Sequence, residues 1–106
     1  MHAIVSSQTE NLADLCRRFN IKRLDVFGSA TREQDFDPTR SDIDLLVEFA
    51  PEDAANMTTY LDVKEALEKL LERPVDLIDR GAVEQSRNYL RRHRILQEAE
   101  PIFVAG

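Results

Sequence analysis

Two aspartates one residue apart, Asp42 and Asp44, open the most regular apolar alternation in the chain, with Ile43, Leu45, Val47 and Phe49 at every second position. In a strand, positions i and i+2 project from the same face, with Cα atoms roughly 6–7 Å apart at ~3.3 Å rise per residue. Two carboxylates so placed reach a shared cation. Hard divalent ions such as magnesium take oxygen ligands, and phosphoryl or nucleotidyl transfer commonly uses two ions about 3.5–4 Å apart, one at the attacking oxygen and one at the leaving pyrophosphate. Asp-x-Asp also describes the wet face of an ordinary edge strand, so the pair has to be weighed with its surroundings.

Upstream, Phe27-Gly28-Ser29 joins an apolar strand to a small residue and then a hydroxyl residue that opens a short helix. Such a junction permits close backbone approach and offers N–H groups and a positive helix end to phosphate. A Gly-Ser pair alone is an ordinary turn. Asp76 stands between Val75 and Leu77, so alternation turns it away from those two apolar neighbours. An acid inside a buried strand is costly unless paired or bound to a cation, which makes Asp76 a candidate third carboxylate beside Asp79 and Glu48. Asp35 and Asp37 repeat the spacing but precede Pro38 in a polar segment, and read as solvated loop. His2, His93 and the lone Cys16 lack zinc-site spacing, and Cys16 falls on the apolar stripe of a helix. Arg87, Arg91, Arg92 and Arg94 make the last helix basic. That helix is either a solvated face or a docking patch for an acidic partner or a polyphosphate tail.

The elements that must position these residues follow from periodicity. Ser7-Gln8-Thr9-Glu10 has capping-box spacing, and Leu12, Leu15, Cys16 and Phe19 then recur at helical intervals, predicting a first helix that ends near Asn20. Strands are expected at 21–27, 42–49 and 75–78, a short helix at 30–34 and a loop at 35–41. A helix is expected over 57–71, stopping before Pro74, and a long last helix over 84–99, with a strand or extended tail at 101–104. Helices alternating with strands in so short a chain predict one small sheet covered by helices.

The 106 residues, 42% hydrophobic and 32% charged, suit one compact domain spanning 1–106. A net charge of −6 repels phosphate backbones and argues against a generic nucleic-acid binder, so an anionic substrate needs metal ions or a local basic patch. One cysteine forms no internal disulfide. No apolar run has the length of a signal peptide or a membrane span, and the expected location is the cytoplasm.

The stretch VFGSATREQDFDPTRSDIDLLVEF resembles the signature of the DNA polymerase β-like nucleotidyltransferase superfamily, a Gly-Ser pair followed after about a dozen residues by Asp-x-Asp and an apolar strand. It is most similar to the smallest branch, the minimal nucleotidyltransferases, whose genes typically accompany a HEPN toxin. The likeness is most specific over residues 24–49 and extends more weakly through RPVDLID and ILQEAEPIF. It implies an α/β fold, a small mixed β-sheet flanked by helices in a polymerase β-like palm. It also implies that Gly28 and Ser29 hold a triphosphate, that Arg32 neutralises phosphate and that Asp42 and Asp44 ligate the metals. Asp76 would be the third carboxylate, sharing the metal and helping to remove the acceptor hydroxyl's proton. Two departures are Glu33, where relatives often have Gly, and the longer acidic loop. The activity implied is transfer of AMP from ATP, with two magnesium or manganese ions, to a hydroxyl of a cognate HEPN ribonuclease toxin. The chain would then be an enzymatic antitoxin within a hetero-oligomer. The alternatives are an antitoxin that neutralises by binding, and a catalytic subunit acting on a small molecule or RNA with a separate substrate-binding partner.

Overall fold

The computed structural model describes residues 3–28, 42–53 and 56–105. Its elements run α1 (Ala3–Ser6), α2 (Thr9–Arg18), β1 (Ile21–Phe27), β2 (Ile43–Phe49), a 3-10 turn (Pro51–Asp53), α3 (Met57–Leu71), β3 (Val75–Asp79), α4 (Arg80–Glu84), α5 (Tyr89–Glu98) and β4 (Glu100–Val104). The strands form one mixed sheet in the order β3-β2-β1-β4. The β1 strand pairs antiparallel with both β2 and β4, whereas β2 and β3 are parallel, α3 supplying the crossover between them. This is the mixed sheet with helices expected from the sequence.

Alternation along the strands divides the sheet into two faces. Leu24, Val26, Ile43, Leu45, Val47, Val75 and Leu77 turn to one side and pack against Val5, Leu12, Leu15 and Cys16 of α1 and α2 and Val63, Leu67 and Leu71 of α3. This is the main core. Burial also pushes the Cys16 thiol up to about 12, so it stays protonated and inert, as its place on the apolar stripe implies. The opposite face carries a smaller cluster of Phe27, Leu46, Val83 and Ile95, where α4 and α5 cover part of the sheet.

Four local expectations are corrected. The capping box at Ser7 does not form: α2 begins at Thr9 with Gln8 as its N-cap and no side-chain cap bond, and the Thr9 hydroxyl instead donates to Ser6 O at 2.8 Å. The short α1 takes up the chain ahead of it. The long last helix is two helices, because Asn88 caps α5 by accepting from Arg91 N at 3.1 Å while Ser86 Oγ accepts from Asn88 N at 3.2 Å. Polar side chains that compete for backbone groups break helices in this way. Strand β2 starts at Ile43, leaving Asp42 exposed just before it. Finally, β3 is an edge strand, so Asp76 is exposed rather than enclosed. The short helix and loop expected at 30–34 and 35–41 lie outside the described residues.

One charge is buried in the second face. Asp25 of β1 is 0% exposed, and its two oxygens accept from Arg23 Nε at 2.8 Å and Arg80 Nη1 at 2.9 Å. Arg80, the first residue of α4, also donates through Nε to Glu84 at 3.2 Å. The pair therefore ties the helix that follows β3 to the centre of the sheet. Breaking a buried pair strands an uncompensated charge, at a cost of ~3–5 kcal/mol. Both arginines keep some contact with water, so Asp25→Ala should cost about 2–3 kcal/mol in urea denaturation, and Lys22→Ala, an exposed neighbour, should cost little.

Candidate active site

The carboxylates meet at one end of the sheet, where β1 finishes and β2 and β3 begin. Phe27 pairs with Asp44 across β1 and β2, and Asp44 pairs with Asp76 across β2 and β3. Directly registered neighbours in adjacent strands lie about 4.8 Å apart with side chains on the same face. Asp44 and Asp76 are thus side by side, with Asp42 one step beyond the start of β2.

Asp76 is held from behind. The backbone N–H of Val75 donates to Glu68 Oε2 at 2.9 Å, and the Tyr60 hydroxyl donates to Leu77 O. Two side chains of α3 therefore bind the residues on either side of Asp76, satisfying edge-strand backbone groups that the sheet leaves open. The rival acids lie elsewhere. Asp79 accepts from Gly81 N at 2.9 Å as the N-cap of α4. Glu48 pairs with Arg23, four residues along β2 from Asp44.

Gly28 completes this end. Its φ is +72°, and a Cβ built there would fall 2.6 Å from Asp44 Oδ2. Only a glycine combines that backbone turn with so close an approach. Ser29 and Arg32 lie outside the described residues.

The concentration of negative charge registers on Asp44, whose pKa is pushed up to about 6, first by burial and then by the charges of Asp76 and Asp42. Among the described residues no three carboxylate, histidine or cysteine groups converge into a closed cation cage. The donor set nevertheless suits a hard divalent ion. It is all oxygen, two of its members are exposed at the sheet's end, and the third is short of positive charge.

A cleft of about 290 Å³ opens over these groups. Gly28, Asp44 and Asp76 form its sheet side, Phe27, Ile78 and Ile95 give it apolar lining, and Arg91, Arg94 and Glu98 of α5 line it as well. The basic helix noted in the sequence is thereby split: Arg87 lies in the turn before α5, and Arg92 Nη1 donates to Glu84 O and Ser86 O at 3.4 Å each. Arg91 and Arg94 line the same cleft as Asp44 and Asp76. Sequence reading did not single out the Asp25–Arg80 pair, although a charge inside the apolar run Leu24-Asp25-Val26-Phe27 was its signal.

A mixed sheet with in-register acids beside a tight glycine turn, flanked by helices, is the framework of a nucleotidyltransferase fold. The chain belongs to the polymerase β nucleotidyltransferase family, whose profile matches residues 10–105. It is similar to a solved, provisionally assigned minimal nucleotidyltransferase, at 30% identity and a TM-score of 0.71 over 91% of this chain and 90% of that one. Protein adenylyltransferase MntA of Thermococcus cleftensis is 31% identical over 83 residues, 78% of this chain and 80% of the relative. A provisionally assigned protein adenylyltransferase of Methanocaldococcus jannaschii is 35% identical over 66 residues, 62% of this chain and only 64% of that relative's length. The fold is shared with an MNT antitoxin solved in complex with a tri-AMPylated Shewanella oneidensis HEPN toxin, at 17% identity and a TM-score of 0.63 over 95% of this chain and 73% of the other. Among the described residues no helix is long and apolar enough to cross a membrane.

Two outcomes follow from the geometry. Asp44 is harder to ionise in the folded chain than in the unfolded one, so it weakens the fold progressively as pH rises from about 4 through about 6 and has no such effect below. Asp44→Asn should therefore gain about 1 kcal/mol at pH 7 in EDTA, a figure discounted for the half-exposed side chain, and gain nothing at pH 4 by denaturant titration. Gly28→Ala should lose about 1–3 kcal/mol from the forced positive φ and the collision with Asp44, measured the same way.

Proposed function

We propose that this chain transfers AMP from ATP to a hydroxyl of a partner protein, releasing pyrophosphate, and that Asp42, Asp44 and Asp76 are its catalytic carboxylates. The observation that carries this reading is the register of Asp44 and Asp76 at the mouth of a cleft, with the Gly28 backbone against Asp44. Two divalent ions, magnesium or manganese, would be held by Asp42, Asp44 and Asp76 and would supply charge neutralisation at the transferring phosphate and at the leaving pyrophosphate. Gly28 lets the backbone approach the triphosphate closely, and Ser29 and Arg32, which follow it in the sequence, are proposed to bind phosphate with it. Asp76 sits at the exposed edge, open to an incoming hydroxyl, and accepts its proton.

The partner is proposed to be a HEPN toxin, by analogy with the Shewanella oneidensis complex, and the setting to be the cytoplasm, where ATP and magnesium are both at hand. By the same analogy the acceptor is a second protein that brings its own hydroxyl rather than a free small molecule. This makes the chain an antitoxin that acts as an enzyme within a hetero-oligomer.

Intact mass of the co-expressed partner should rise by one or more AMP units with the wild-type chain. No such increase in an otherwise intact complex would leave binding alone as the neutralising act. Asp76→Asn should keep near-normal affinity for magnesium-ATP by calorimetry while transfer falls ~10²-fold or more, because loss of a contact made mainly in the transition state lowers turnover rather than ground-state binding. Asp79→Asn and Glu48→Gln should retain transfer. Full activity of Asp76→Asn beside a dead Glu48→Gln or Asp79→Asn would move the third carboxylate.

A further inference from the structure

The cleft has walls of opposite charge. Arg91 and Arg94 are three residues apart on α5, so their side chains share a face, and both line the cleft that Asp44 and Asp76 also line. Arg92 between them is committed elsewhere, to the carbonyls of Glu84 and Ser86 and, at 5.4 Å, to the ring of Tyr89. Arg91 has no side-chain hydrogen bond or ion pair among the described residues. Arg94 is 79% exposed, and its 3.4 Å contact with Glu98 is too long and too solvated to hold it firmly. Two guanidiniums thus stand ready at a cleft whose other charged members, among the described residues, are acids, in a chain of net charge −6.

An anion entering this cleft is repelled by the carboxylates and needs fixed positive charge to approach them. Guanidinium presents a planar fork of donors that matches phosphate oxygens. We propose that Arg91 and Arg94 form the polyphosphate-binding wall of the site, holding the β- and γ-phosphates of the nucleotide so that its α-phosphate lies toward Asp44 and Asp76. This rests on the nucleotidyl-transfer reading above. It adds a source of affinity that is independent of divalent ions and specific for the tail that becomes the leaving group. Arg94 exchanges its loose contact with Glu98 for phosphate, at little energetic cost.

Calorimetry on the full chain tests this with ATP, AMP and inorganic tripolyphosphate, each with magnesium and with EDTA. Arg91→Gln and Arg94→Gln should each weaken ATP and tripolyphosphate about tenfold, the more strongly in EDTA, and AMP less than about threefold. The double Arg→Lys variant should recover part of the loss, and all variants should unfold at the wild-type urea midpoint because both side chains are exposed. A wild-type chain that binds no nucleotide would overturn the nucleotidyl-transfer reading itself. Wild-type binding of ATP that the double Gln variant matches would overturn only the role given to these arginines. Equal losses for ATP and AMP would overturn it too, by moving them to the nucleoside end. So would unchanged ATP binding with loss of the co-purified partner protein, which would make the pair a docking surface.

Discussion

Like charges held side by side are the constraint on which the rest of this structure turns. Asp44 and Asp76 are registered neighbours on parallel strands, and two carboxylates about 5 Å apart at the edge of a protein repel by roughly 1–3 kcal/mol. The strands that carry them bury Ile43, Leu45, Val75 and Leu77 on the other face, each worth ~1.5–3 kcal/mol. Burial wins, and the acids are carried along with it. Asp44 carries the consequence: burial first, and then the charges of Asp76 and Asp42, raise its pKa.

The fold spends its polar side chains on keeping that arrangement fixed. Glu68 and Tyr60 pin the edge strand on both sides of Asp76. The Asp25–Arg80 pair ties α4 to the sheet from the face on which the acids lie, and Asp79 caps the same helix one residue earlier. A helix whose first turn is held twice has little freedom to drift, and Val83 and Ile95 then bring α5 down beside the cleft. Local charge balance follows the same plan. The buried acid Asp25 has two arginines within 3 Å, whereas among the described residues no arginine is bonded to Asp42, Asp44 or Asp76.

A site of this kind separates two demands that conflict. On the proposed reading, binding a triphosphate asks for positive charge, while activating a hydroxyl asks for negative charge and ligands for a metal. Placing the arginines on α5 and the carboxylates on the sheet lets both sets of groups line one cleft without neutralising each other through direct ion pairs.

Much of this was legible in the residues themselves, for a physical reason. Period-two alternation around Asp42 and Asp44 is a local property, and it marked both the strand and the face of the acids. The third acid was a choice among Asp76, Asp79 and Glu48 on residue spacing alone, and only strand pairing distinguishes a neighbour of Asp44 from a helix cap or a residue four positions along. The same holds for the break at residues 85–88, where Ser86 and Asn88 take backbone groups that periodicity alone would have assigned to a continuous helix. Alternation and helical spacing are written into the chain because they depend on neighbours in sequence. The register of β2 on β3, the approach of Gly28 to Asp44, the closing of Arg80 on Asp25 and the placing of Arg91 and Arg94 in one cleft with the acids depend on contacts between residues far apart in sequence, and only the folded chain decides those.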